Sequence, residues 1–108
     1  MMIGMGIIVL SFLLVLGACD LVPPAAPYIQ GSYTYTTTTL SWSAVAGANE
    51  YIIYYGSKNG SSSPSTFSVL TTTTRTSYTH YTTNAYYYAV KASNNAGTSD
   101  FSNVIYTN

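Results

Sequence analysis

The sequence predicts an all-β fold, a two-sheet sandwich of seven short strands. Threonine, tyrosine, valine and isoleucine are abundant along the chain, and these residues suit the pleated, half-buried surface of a sheet. Apolar and polar side chains alternate at period two in several short stretches, which are separated by clusters of Asn, Gly, Ser and Pro. Short strands with turn signals between them are typical of a β-sandwich.

The strand that begins at Tyr86 shows the clearest alternation, and the other strands are expected to pair with it or pack on it. Asn84 lies before it, and the turn signal Asn-Asn-Ala-Gly occupies residues 94–97. Period two divides its side chains between two faces. The inward face would carry Tyr86, Tyr88, Val90 and Ala92, and the other face Tyr87, Ala89, Lys91 and Ser93.

Six shorter segments supply the remaining strands. They are residues 28–35, 38–42, 51–55, 67–70, 76–78 and 102–106. The same alternation sorts their side chains into core and surface. The predicted inward residues are Leu40, Trp42, Tyr51, Ile53, Tyr55, Val104 and Tyr106. Asn59-Gly60 predicts a tight turn in the polar loop after the third strand.

Composition excludes several classes of function. The chain has three Lys or Arg and three Asp or Glu, so it lacks the basic surface that nucleic-acid binding requires. Its single cysteine, Cys19, allows neither an internal disulfide nor a cysteine-based metal site. The sequence contains no Ser-His-Asp arrangement, phosphate-binding glycine loop or zinc-ligand spacing. We therefore expect neither an enzyme nor a bound cofactor or metal.

The N-terminus resembles the signal peptide of bacterial lipoproteins. Residues 1–18 are apolar and uncharged, and they end in Leu16-Gly17-Ala18 just before Cys19, which resembles a lipobox. The resemblance implies a diacylglycerol on the Cys19 thiol, cleavage before Cys19, and often acylation of the new amine. Several acyl chains give stable membrane anchoring, whereas one chain binds only marginally. The chain then consists of a signal peptide at residues 1–18, a lipidated Pro-rich tether at residues 19–27 and a domain at residues 28–108.

The same segment is also compatible with an uncleaved transmembrane helix, because about eighteen apolar residues is the lower end of what spans a bilayer. The segment lacks the Lys or Arg that signal peptides usually carry before their apolar region. Asp20 resembles an inner-membrane retention signal of enteric bacteria, which leaves the inner and outer membranes both open. The lipoprotein interpretation places the domain outside the cytoplasm, at the cell membrane or outer envelope.

The domain resembles a fibronectin type III domain over roughly residues 26–107. The matching positions are Leu40-x-Trp42, Gly47-Ala48-x-x-Tyr51-x-Ile53-Tyr54-Tyr55, and Tyr86-x-Tyr88-x-Val90-x-Ala92-x-Asn94-x-x-Gly97-x-Ser99 with Ser102. The resemblance implies an Ig-like sandwich in which Trp42 is the core tryptophan. It also implies that Tyr86 is a corner tyrosine whose hydroxyl bonds the backbone of the preceding loop. His80 stands where the family usually has a leucine.

Three titratable residues are candidate sites. His80 could act as a general base or metal ligand, but a partly packed turn residue is the preferred interpretation because no Cys or carboxylate is near it in sequence. Glu50 and Asp100 are expected at one pole of the sandwich. A cation or acid-base pair is conceivable there, and solvated loop charges are preferred.

One predicted surface favours binding. Outward positions on neighbouring strands would form an apolar and aromatic face, and contiguous faces of that kind often mark interaction sites. Its members are Ile52, Tyr54, Tyr87, Lys91 and Ile105. The expected function is a membrane-tethered envelope module that binds a protein or a polysaccharide. The alternative is a structural spacer or an accessory subunit of an envelope complex.

Overall fold

A computed structural model describes residues 22–107. In these residues the chain forms eight strands and one short 3₁₀ helix at Pro64–Thr66. The strands are β1 (Ile29–Tyr33), β2 (Thr37–Trp42), β3 (Glu50–Ser57), β4 (Ser68–Thr73), β5 (Ser77–Tyr81), β6 (Tyr86–Asn94), β7 (Gly97–Thr98) and β8 (Ile105–Tyr106).

The strands form two antiparallel sheets, so the predicted all-β sandwich is confirmed. One sheet has three strands in the order β1-β2-β5. The other has the order β4-β3-β6-β7, and β8 also pairs with β6. The last strand, predicted at residues 102–106, is reduced to β8, and the short strand β7 begins within the turn predicted at residues 94–97; both pair with β6.

The core lies between the sheets and is built from the residues that period two predicts. On β2, Leu40 and Trp42 are buried, and on β3, Tyr51 and Ile53 are buried. The ring of Trp42 meets that of Tyr51 edge-on, with centroids 5.3 Å apart. From β6 the buried inward residues are Tyr88, Val90 and Ala92. The alternation predicted for these three strands is confirmed.

The phase predicted for the last strand is wrong. Tyr88 pairs with Ile105, and Tyr87 pairs with Tyr106. Directly paired residues share a face, so Ile105 follows the buried Tyr88 into the core, where it packs against the core cluster. Tyr106 follows Tyr87 outward and is 45% exposed. The alternation counted from Ser102 failed because residues 99–104 are irregular and do not preserve the phase of a strand.

The segment before β1 packs on the domain. Pro24 and Pro27 are buried, and the Asn94 side-chain amide donates to the Val22 carbonyl oxygen at 2.9 Å and to that of Gly47 at 3.1 Å. The signal peptide, Leu16, Gly17, Ala18, Cys19 and Asp20 lie outside the described residues. Within residues 22–107, no helix has the length and apolar character needed to cross a bilayer.

Candidate binding surface

Four of the five residues predicted to form a binding face lie together on the outward side of the five-stranded sheet. Ile52 on β3 pairs with Lys91 on β6, and the pairing of Tyr54 with Ala89 follows along the same strands. Tyr87 lies two residues before Ala89 and so faces the same way. Ile105 does not belong to this face, because its side chain packs into the core.

Three aromatic rings cross this face from strand to strand. The Phe67 ring lies against Gly56, where an added Cβ would be 2.5 Å from the Phe67 Cδ1 atom. Gly56 pairs with Tyr87, and Tyr87 pairs with Tyr106. The ring centroids of Phe67 and Tyr87 are 6.2 Å apart with planes 13° apart, and those of Tyr87 and Tyr106 are 4.9 Å apart. The three rings thus lie side by side over β3, β6 and β8.

A second group of rings lies further along the same strands and includes a cation. The rings of Tyr54 and Phe101 meet edge-on, with centroids 4.8 Å apart. The Lys91 ammonium lies 4.3 Å from the Phe101 centroid and 5.8 Å from the Tyr54 centroid. These distances are within the range of cation–π attraction. The Lys91 charge is therefore directed onto aromatic rings of its own domain.

We call the combined set the aromatic surface. It consists of Tyr54, Phe67, Tyr87, Lys91, Phe101 and Tyr106. Ala89 faces the same way, between Tyr87 and Lys91, yet it has no exposed area, so larger side chains close over the sheet backbone there. Ile52 lies beside Lys91 at the margin.

Sequence reasoning missed three members of the aromatic surface. Phe67 was the first residue of the predicted strand 67–70 and was assigned no face, and the structure places it just before β4. Phe101 lies in an irregular segment, where alternation assigns no face. Tyr106 was assigned to the wrong face because its phase was counted across an irregular segment. One signal in the sequence could have indicated Phe67: Gly56 interrupts an otherwise apolar strand, and such a glycine often marks the close approach of another group.

His80 is placed in β5 and not in a turn, with its ring partly packed as predicted. Its Nδ1 atom lies 2.8 Å from the Tyr88 hydroxyl oxygen, and the rings of Tyr55, Tyr86 and Tyr88 surround it with centroids 5.5–5.9 Å away. Burial lowers the pKa of His80 and raises the pKa of Tyr88 to about 12. The neutral imidazole can then accept the hydrogen bond of the protonated Tyr88 hydroxyl.

The resemblance to the family implied a backbone bond for the Tyr86 hydroxyl, and the structure has a different contact. The Tyr86 hydroxyl accepts from the Asn84 side-chain amide at 3.3 Å. The more deeply buried hydroxyl is that of Tyr88, which bonds His80. The hydrogen bond that joins β6 to the three-stranded sheet is therefore made by Tyr88, two residues after Tyr86.

The carboxylates do not assemble into a centre with other ligands. Glu50 is half-buried and Asp100 is exposed. Among residues 22–107, no group of three or more His, Cys, Asp or Glu could hold a metal ion.

A polar cavity lies at the end of the sandwich away from Val22. Its volume is about 370 Å³, and the loops after β3 and β5 form its walls. It is lined by Ser57, Lys58, Asn59, Thr83, Asn84, Ala85 and Tyr86. The cavity shares no residue with the aromatic surface, so the two are separate candidate sites.

Comparison with known proteins shows likeness of fold. No protein-family model matches the chain, and no curated protein matches it. A solved Fn3-like protein from Clostridium thermocellum is 28% identical, with a TM-score of 0.57, and the match covers 77% of this chain and 86% of that one. A variant of FN3tt is 25% identical, with a TM-score of 0.60, covering 80% of this chain and 92% of that one.

A structure of titin kinase and its flanking domains is 19% identical to this chain, with a TM-score of 0.69. The match covers 81% of this chain but spans only 17% of the titin chain, so the likeness is to one part of a much longer protein.

Proposed function

We propose that this protein, whose described residues share the fold of fibronectin type III domains, is a membrane-tethered binding module of a bacterial cell envelope. Lipid on Cys19 would anchor it outside the cytoplasm, and the aromatic surface would recognise an envelope protein or polysaccharide. The fold itself serves many purposes, so the functional argument has to come from this chain's own surface.

The observation that carries the proposal is the clustering of aromatic side chains in the aromatic surface. Six side chains from three strands and two connecting segments contact one another in two groups on the outer side of one sheet. Isolated exposed apolar residues are ordinary, whereas a contiguous aromatic patch often marks an interaction site. Tyrosine suits such a site because it combines a large apolar ring with a polar hydroxyl.

Cys19 and the residues before it support the anchor. The small residues Gly17 and Ala18 precede the cysteine, as the lipoprotein peptidase requires in the family that this segment resembles. The intact mass of the N-terminal peptide, from protein made in its own host, tests this part. Acylated Cys19 as the first residue supports a lipoprotein. A peptide that still begins at Met1 would mean an uncleaved membrane anchor instead.

Binding is tested by anchoring the full chain in a supported bilayer and measuring capture of fragments from isolated cell envelopes. The double variant Tyr54→Ser/Tyr87→Ser should abolish capture while leaving the circular dichroism spectrum unchanged. Tyr81→Ser is the matched control, because Tyr81 is 79% exposed and lies on β5, in the other sheet. Equal capture by wild type and double variant would overturn binding through this surface.

A structural spacer or accessory subunit is the second candidate, and the packed segment Val22–Pro27 favours it. Pro24 and Pro27 are buried and Val22 is bonded to Asn94, so the domain would be held at a short and fixed distance from an anchor at Cys19. A subunit of this kind should co-purify with its complex in fixed stoichiometry and capture no envelope fragment through the aromatic surface.

A further inference from the structure

We propose that the ligand of the aromatic surface is an extended, uncharged polysaccharide, and that its sugar rings stack on the row formed by Phe67, Tyr87 and Tyr106. This inference rests on the proposed binding function and specifies its ligand. Three features of the row carry it: the spacing of the rings, the absence of charge among them, and the close contact of the Phe67 ring with the sheet backbone at Gly56.

The spacing of the row follows from the sheet. Adjacent strands are about 4.8 Å apart, and the rings of Tyr87 and Tyr106, on paired strands, have centroids 4.9 Å apart. The third ring, that of Phe67, continues the row over Gly56 of β3 at 6.2 Å from Tyr87. Each step is comparable to the length of one pyranose unit, so successive sugars of an extended chain could each meet a ring.

The charge distribution selects a neutral ligand. The three rings of the row carry no charge. Lys91, four residues after Tyr87 on β6, is directed onto Phe101 and Tyr54, and the exposed Lys58 belongs to the lining of the polar cavity. Glu50 faces the same way but lies at the start of β3, six residues before Gly56. An anionic polysaccharide would lose hydration on this surface without gaining an ion pair for each unit, which is unfavourable.

The close contact between Phe67 and the sheet favours a sugar over a protein segment as the ligand. Phe67 lies directly against the backbone at Gly56, and the neighbouring Ala89 is fully covered. Protein hot spots are usually side chains that fill well-packed pockets at the centre of an interface of about 800 Å² per partner. The rings of Phe67 and Tyr87, with planes 13° apart, offer instead an apolar platform, and the Tyr106 ring extends it at a tilt of 43° to that of Tyr87. The two tyrosines add phenol hydroxyls. That combination matches the apolar face and polar edge of a pyranose.

The test is a titration of the ¹⁵N-labelled full chain, in micelles of a detergent without a sugar headgroup. The probes are a hexasaccharide of β-linked glucose and hexagalacturonate, a charged oligosaccharide of the same length. We expect the neutral probe to shift the amide signals of Gly56, Tyr87 and Tyr106. Tyr87→Ser should weaken its affinity by about tenfold or more, a loss of about 1.4 kcal/mol. Tyr81→Ser should leave the affinity unchanged.

A second variant guards against loss of folding. Tyr106→Ser removes an exposed ring at the end of the row, and it should weaken the neutral probe while leaving the thermal midpoint close to that of the wild type. Stronger binding of hexagalacturonate than of the glucose oligomer would overturn the inference. Shifts confined to Ser57, Lys58 and Asn84 would do so as well, because they would place the sugar in the polar cavity.

The two proposals can fail separately. If neither oligosaccharide binds but capture of envelope fragments still depends on Tyr87, the polysaccharide inference is wrong and the binding surface stands with a protein partner. If capture is also independent of Tyr87, both proposals are wrong.

Discussion

The hydroxyl of Ser102 accepts the backbone N–H of Val90 at 2.8 Å, and the N–H of Ser102 donates to the Val90 carbonyl oxygen at the same distance. Ser99 makes the equivalent pair of contacts with Ala92, through its hydroxyl at 2.9 Å and its N–H at 2.8 Å. Residues 99–104 are not a regular strand. The hydroxyls of these two serines therefore accept the hydrogen bonds of buried β6 N–H groups, which the carbonyl oxygens of a regular neighbouring strand would otherwise accept.

Replacing Ser102 with Ala should destabilise the domain by about 1–3 kcal/mol, because the buried Val90 N–H loses its acceptor and gains no water. The free energy of unfolding from urea denaturation measures the effect. Ser65→Ala is the control, since the Ser65 hydroxyl bonds only the exposed Ser63 hydroxyl and should contribute little. Equal midpoints for the two variants would contradict the bonding role of Ser102.

Stability should fall as pH is lowered below about 6.5, and His80 should be responsible. Burial lowers the pKa of His80 from the ordinary value of 6.5. The unfolded chain therefore binds its proton at a higher pH than the folded domain does. Between those two values the unfolded state carries more protons, so stability rises with pH and is complete above 6.5.

The thermal midpoint measured between about pH 5.5 and pH 7.5, above the carboxylate range, checks this prediction. His80→Gln is the matched variant, because a glutamine can still accept from the Tyr88 hydroxyl but does not titrate. Its midpoint should be flat over this range. A wild-type midpoint that is equally flat would exclude the proposed coupling.

Gly56→Ala should destabilise the domain by about 1–3 kcal/mol through overpacking, because the added methyl group would meet the Phe67 ring. Gly60→Ala is the control: a Cβ there would lie 3.5 Å from its nearest neighbour, the Ser57 carbonyl oxygen, at ordinary contact distance. A double-mutant cycle gives the decisive measurement. If Phe67 is the cause, Gly56→Ala should cost much less in a Phe67→Ala background.

Asn94→Ala should release the segment Val22–Pro27 from the domain. The Asn94 amide bonds the carbonyl oxygens of Val22 and Gly47, and losing such bonds costs about 0.5–1.5 kcal/mol each. ¹⁵N relaxation at Ala25 and Ala26 should report faster local motion in the variant. Asn59→Ala, in an exposed loop, should leave the relaxation of both alanines unchanged. Identical relaxation in all three proteins would mean that the buried prolines hold the segment without Asn94.

Local alternation determined much of the fold. The inward residues of β2, β3 and β6 were predictable because each strand is continuous, so period two assigns every side chain to a face. A tight turn in the loop after β3 was predictable too, but it lies one residue earlier than Asn59-Gly60: the Gly60 N–H donates to the Ser57 carbonyl oxygen at 2.9 Å, so Lys58 and Asn59 are its central residues. The same reasoning placed Ile52, Tyr54, Tyr87 and Lys91 on one outward face.

The amino-acid sequence therefore specifies the fold class, the core of the continuous strands and most residues of one outward face. The positions of Phe67, Phe101, Ile105 and Tyr106 follow only from the three-dimensional packing. Their faces depend on which residues pair across strands and on how irregular segments return to the sheet. Those relations are set by packing between residues distant in sequence, such as the Phe67 ring on Gly56 and Ile105 opposite Tyr88, and no local period encodes them.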